Sequence, residues 1–385
     1  MLHPTVHRRP SSAQRIAHTV GAALLLSTAA QAQSPNLLNP EVSASAVMLG
    51  GYSTREEAPN AAALATDVQL QEVELQVSSN ADPYLRLDLS LVGHTHAGQM
   101  EVGFENAFIS SLAIPNVTLR AGQFLVAFSK ANEQHMHAWH FITAPLPLVG
   151  VFGSDHLIGT GLSAEYLAPV PFFAELTLQT FKPRWTSHDH GATDVHVDED
   201  DVHAAEEAAP GLELTHLARL KTFFEFTDNT TLELGGSALV SEDEHEDLAV
   251  VWNANMTVKW VPASAARYTS LEWLTEYISA SPDGQTLDGL YTGLRYQTAQ
   301  QWWLQSRVAA MHLSDLGDIF RAEALLAFAP SERTAVRLQY AVDRLHDHAE
   351  DDGDQGEHAV PETSLAHEVF LQLIVAIGSH PAHAY

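Results

Sequence analysis

The chain contains no cysteine, few basic residues and, beyond its first thirty-odd positions, no long apolar run. Without cysteine no disulfide can hold the fold, so an exported chain of this length needs a large core or a closed hydrogen-bonded sheet. Only 19 lysines and arginines stand against 48 aspartates and glutamates. That balance excludes electrostatic binding to nucleic acid or to an anionic membrane surface, and it suits the attraction of cations. No later segment offers the ~20 uninterrupted apolar residues that a membrane helix requires, although the hydrophobic share is 45 %. The apolar residues must therefore be arranged in another way.

Residues 1–32 read as a secretory signal peptide. Arg8, Arg9 and Arg15 form a positive start, Val20 to Ala30 a short apolar core, and Ala30-Gln31-Ala32 a small-x-small cleavage site. Removal of those 32 from 385 residues leaves a mature chain of 353, with 16 basic and 48 acidic residues and a formal charge of −32. The expected destination is the bacterial outer membrane.

In the mature chain the apolar residues recur with a period of two. Leu85, Leu87, Leu89 and Leu91 alternate with Arg86, Asp88 and Ser90. Val336, Leu338, Tyr340 and Val342 alternate with Arg337, Gln339, Ala341 and Asp343, and Val369 to Ile377 repeats the pattern. Alternation at roughly ten residues per segment is the mark of a transmembrane β-barrel, weak in one strand and strong when summed. The predicted fold is all-β, a transmembrane antiparallel barrel of about 16 strands. Those strands cover residues 41–51, 66–79, 83–93, 100–110, 116–127, 158–168, 172–182, 212–227, 230–241, 247–261, 267–280, 286–298, 301–313, 317–328, 334–344 and 364–378.

The connections support this arrangement. Every second one is a short turn, such as 80–83, 168–171, 227–229 and 329–333. All the long connections, 52–65, 128–157, 183–211 and 345–363, fall in the other register. Long outer loops and short periplasmic turns are what a barrel with both ends on the inner side requires, and a β-sandwich has no reason to sort its loops so. Most of the tryptophans, Trp139, Trp185, Trp252, Trp260, Trp273, Trp302 and Trp303, fall near predicted strand ends, where interfacial girdles sit.

Histidines concentrate in the outer loops. Four His-x-His pairs occur there: His94 with His96, His135 with His137, His188 with His190, and His346 with His348. Residues two apart on an extended chain share a face, so both rings can approach one ion. Carboxylates surround them in the loops 183–211 and 345–363. Mixed imidazole and carboxylate donors suit zinc, nickel, copper or iron. His135, His137 and His140 fall in the third outer loop, 128–157, which is expected to form the constriction. Its tail LPLVGVFG (146–153) is too apolar to lie in water, and Trp139 is expected to anchor it. Arg86, Asp88, Arg120, Arg219, Lys221, Arg295, Arg307, Arg321 and Arg337 are out of phase with the apolar face and are expected to line an aqueous lumen.

No catalytic motif accompanies these residues, and an enzyme is not expected. His245-Glu246 and His367-Glu368 each begin a zincin pair, but Ala249 and Leu371 stand where the second histidine is needed.

The segments NPEVSASAVMLGGYS, AGQFLVAFSKANEQHMHAWHFITAPL and IGSHPAHAY resemble the bacterial zinc-regulated outer-membrane receptor family. The resemblance spans most of the mature chain, with Gln134 to Trp139 its most specific part. It implies a porin-like barrel, induced under zinc limitation, that serves metal acquisition. Members are often labelled TonB-dependent, but 353 residues cannot hold a plug and a barrel of about 22 strands, so an energy-coupling partner is doubtful. The combined expectation is a porin-like channel assisting uptake of zinc or another divalent metal, with no cofactor required. A general diffusion porin, or a metal-capturing surface protein that does not conduct, is the alternative. Expected partners are outer-membrane lipid, the barrel assembly machinery and further copies in a homotrimer.

Overall fold

The alternating segments form sixteen strands: β1 (Glu41–Ser53), β2 (Val68–Asn80), β3 (Leu85–His96), β4 (Gln99–Ser111), β5 (Val117–Leu125), β6 (Ile158–Leu167), β7 (Phe173–Arg184) and β8 (Thr215–Thr227). The second half supplies β9 (Thr230–Glu242), β10 (Leu248–Trp260), β11 (Ser270–Ser281), β12 (Leu287–Ala299), β13 (Trp302–Leu313), β14 (Gly317–Ser331), β15 (Thr334–His346) and β16 (Thr363–Gly378). Each predicted strand has its counterpart, with ends displaced by a few residues. This computed structural model describes residues 40–54, 68–96, 99–153, 156–184, 214–242, 248–262, 268–281, 286–314, 317–346 and 363–378. The signal-peptide reading of 1–32, and His188, His190 and His348, fall outside the described residues.

Every strand pairs antiparallel with its sequence neighbours, and β1 pairs with β16 from Ser43↔Gly378 to Ser53↔Glu368. Closure leaves no unpaired edge, which is the condition for a sheet to lie in hydrocarbon. The described inner turns are tight. Asp82 accepts hydrogen bonds from the backbone N–H of Tyr84 (2.7 Å) and Leu85 (2.9 Å), so its side chain replaces a backbone turn partner.

The pleat sorts the faces. On β16, Val369, Leu371, Leu373, Val375 and Ile377 are exposed while Glu368, Phe370, Gln372 and Ile374 are buried. The same sorting on β3 and β15 produces an apolar outer belt far larger than a water-facing surface carries, and a bilayer is its natural cover. Trp252, Trp260, Trp273 and Trp302 lie exposed on that outer surface, with Tyr84, Phe172, Tyr268 and Tyr296 near the turn end. Trp139 and Trp303 depart from the girdle expectation: both are buried, and Trp185 lies outside the described residues.

The interior is not a plain aqueous lumen. The connection between β5 and β6 folds into the barrel and meets its wall on many sides. Val126, Phe128, Leu148, Phe152 and Leu157 pack with Phe124, Phe181, Leu217, Leu239 and Ile278. Phe141 and Ile142 pack with Leu49, Trp303, Leu325 and Phe370. The apolar tail forms a short helix, α1 (Leu146–Phe152), held against β11, β12 and β13. Its approach depends on Gly289: a Cβ there would stand 2.7 Å from Pro147 Cγ, closer than any real contact.

Candidate functional site

The inserted segment is pinched at its root, where the Val126 N–H donates to the Leu157 carbonyl (3.0 Å). Asn132 reinforces this, donating to the carbonyls of Val126 (2.7 Å) and Leu157 (3.0 Å) while accepting from the Leu157 N–H (2.8 Å). The Trp139 indole N–H then donates to the carbonyls of Ala131 (2.8 Å) and Gln134 (3.1 Å). These bonds fold residues 131–139 back on themselves and fix where their imidazoles point.

His135 and His137 flank the start of a 3-10 turn, Met136–Ala138. An extended chain would have aimed both rings at one point. The turn instead stacks them, 5.8 Å between centroids and 9° from parallel. The two rings take different nearest carboxylates, Glu72 for His137 and Glu105 for His135.

The rings meet carboxylates from the wall. His137 Nδ1 lies 2.8 Å from Glu72 Oε1 and 3.1 Å from Glu74 Oε2. His135 Nδ1 lies 2.6 Å from Glu105 Oε2 and 3.3 Å from Glu74 Oε1. Glu105 Oε1 faces His156 Nδ1 at 3.5 Å, and His156 Nε2 sits 2.7 Å from the Gln134 carbonyl, to which it donates. Carboxylate and imidazole thus alternate in one file: Glu72, His137, Glu74, His135, Glu105, His156. Two groups within it, Glu72–Glu74–His137 and Glu74–Glu105–His135, each have their ligand atoms within 4.8 Å of one another. Glu74 is held in place by Ser90 Oγ (2.5 Å) and Gln76 Nε2 (2.7 Å). Burial alone would lower the His135 pKa. The Glu105 hydrogen bond and the charges of Glu74, Glu105 and Glu72 outweigh that and raise it to about 9.

Glu72, Glu74 and Glu105 were absent from the sequence-derived set. Their signal was present, since Glu72, Glu74 and Gln76 alternate with Val73, Leu75 and Val77 and so face inward. His94 stands opposite Glu72 in the β2–β3 register. Only the backbone of His96 and His346 is described, at the outer ends of β3 and β15.

His140 stands apart from the other two. Its Nε2 accepts from Arg295 (3.2 Å), and its Nδ1 is 3.9 Å from Glu272. Burial, together with Arg295, Lys130 and Arg337, pushes its pKa well below the usual histidine value. The arginines expected to line water are largely engaged with the loop or with one another. Arg219 pairs with Glu133, and Arg337 donates to the Trp139 carbonyl. Arg307 pairs with Glu323 and donates to the carbonyls of Thr143 (2.9 Å) and Ala144 (3.2 Å). Arg321 joins Glu323 (3.1 Å), Asp343 (2.8 Å) and Glu368 (2.7 Å). Arg86–Asp88 and Arg120–Glu165 pair toward the turn end, while Lys221 is half-buried opposite Glu175. Lys130, Arg295 and Arg307 line a cavity of about 50 Å³ between loop and wall. The interior is therefore divided, with acid and imidazole beside β2–β4 and arginine–carboxylate pairs across from them.

No family model matches the chain. A protein of Aquifex aeolicus (strain VF5), described as uncharacterized, is 25 % identical over 354 residues, covering 82 % of this chain and 70 % of that one. Among solved structures, an anion-selective porin from Comamonas acidovorans covers 88 % of this chain and 99 % of its own at 11 % identity, with a TM-score of 0.55. Pseudomonas putida OprB covers 88 % and 94 % at 10 % identity (TM-score 0.56). The outer-membrane channel DcaP of Acinetobacter baumannii covers 90 % and 99 % at 10 % identity (TM-score 0.55). At these identities the likeness is one of fold, and the fold is a porin-like outer-membrane barrel.

Proposed function

We propose that the protein is an outer-membrane diffusion channel whose inserted loop carries a divalent-cation site, and that it assists entry of zinc or another divalent metal. The observation that carries this reading is the file of three carboxylates and three imidazoles at the loop–wall contact. Nitrogen and carboxylate oxygen together match borderline divalent ions. The acidic outer connections raise the local cation concentration, and a site used for passage must release its ion again. His135 is a fifth exposed and Glu105 about a tenth, whereas His137 is closed off, so ions would enter at the His135 end.

Lys130 on the loop, with Arg295 and Arg307 on the wall, favours a second reading, in which an anionic solute or a metal chelate passes along these three groups. Zinc flux into proteoliposomes separates the two. The proposal expects uptake of free zinc that His135→Ala/His137→Ala reduces severalfold. Zinc binding without flux, or flux only of chelated zinc, would overturn it.

A further inference from the structure

The geometry points to two divalent ions, not one, bound side by side and bridged by the Glu74 carboxylate. This rests on the reading that the imidazole–carboxylate file takes divalent cations, and it specifies how many and where.

The grouping of the donors decides the number. His135 and His137 are stacked 5.8 Å apart and 9° from parallel, and both present Nδ1 to carboxylates. Each of the two groups of ligand atoms within 4.8 Å of one another holds one ring and not the other, Glu72–Glu74–His137 and Glu74–Glu105–His135. Each ring has its own terminal carboxylate, Glu105 for His135 and Glu72 for His137. Between them Glu74 gives Oε1 to the first and Oε2 to the second. A carboxylate with one oxygen directed to each of two nitrogen donors is the arrangement that bridges a metal pair.

Size agrees. Two donor atoms about 2.0–2.1 Å from one zinc ion stand about 3.3 Å apart at the tetrahedral angle. The donor separations here, 2.6 and 3.3 Å around His135 and 2.8 and 3.1 Å around His137, need only slight spreading to admit an ion each. Three carboxylates also offset most of the charge of two divalent ions.

The surroundings are those of a metal centre. Glu74 is oriented by Ser90 and Gln76. His156 spends its Nε2 proton on the Gln134 carbonyl, which leaves Nδ1 as the electron-pair donor facing Glu105. His156 is thus placed to complete the shell of the ion beside Glu105, and His94, in register with Glu72, lies on the side of the ion beside Glu72. Glu72 and Glu74 are successive inward-facing residues of β2, about 6.6–6.8 Å apart along the strand. Two sites at successive positions of one strand form a short file, in which an arriving ion weakens the hold on its neighbour.

Crystals of the full-length mature protein soaked in zinc, measured by anomalous scattering, test this without interference from zinc on the outer loops. The expected result is two peaks flanking Glu74, roughly 4 Å apart as in two-metal sites. His137→Ala should lose the peak beside Glu72 and keep the one beside Glu105. One peak shared by both rings would overturn the paired site while leaving the loop a metal site. No peak at either ring would overturn both. The number of peaks is read on the wild-type protein, so the decision stands without a variant.

Discussion

Arg337, on β15, donates to the backbone carbonyl of Trp139 in the inserted loop, 198 positions away in sequence. Both residues are buried, and the bond ties the folded-back tip of the loop to the barrel wall. A hydrogen bond from a charged group contributes about 1.5–3 kcal/mol. Arg337→Ala should therefore shift the balance between docked and undocked loop by roughly ten- to hundredfold. The expected outcome is a larger single-channel conductance or open probability in planar bilayers. An unchanged conductance would show that the loop does not limit the pore.

The sorting of faces has its own test. Leu371 is exposed on the outer belt of β16, and its neighbour Gln372 is buried inside. Arginine on the lipid face near the midplane costs about 2–4 kcal/mol. Leu371→Arg should lower barrel stability by that amount in urea-dependent folding into lipid vesicles, with the wild-type spectrum retained. A cost near zero would mean that this face does not meet lipid.

Proton binding at the loop should be unequal. In metal-free protein His135 is expected to titrate near 9, and His140 to stay neutral through the ordinary range. The folded-state pKa of His135 lies above its unfolded value, so its contribution to loop docking is fully present below about 6.5 and is lost as pH rises through about 9. Nitrogen NMR of labelled histidine reads both groups. A His135 that titrates near 6.5 would break the assignment of its partners.

Much of the barrel was legible in the sequence because hydrocarbon imposes one rule on every strand: apolar out, at a period of two. Loop length added direction, since all the long connections fall on one side of the barrel. What the pattern did not show is how full the interior is. Arg219, Arg307, Arg321 and Arg337 have the phase of lumen residues, but phase does not distinguish water from an inserted loop as their neighbour. The site was half legible. His135 and His137 stand out locally, yet their partners lie on β2 and β4, 30 to 65 positions away, and only pairing brings them near. The 3-10 turn that stacks the rings also has no local mark, since it follows from Trp139 closing onto Ala131 and Gln134.

Zinc-dependent conductance of the purified barrel in planar bilayers tests the central claim most directly. With potassium chloride as carrier, micromolar to millimolar zinc should alter the current by occupying the file between Glu72 and His156. His135→Ala/His137→Ala should abolish that response, read as the ratio of current with zinc to current without it through the same variant channel. A current indifferent to zinc in the wild-type protein, or a zinc response unchanged in the double variant, would contradict the account.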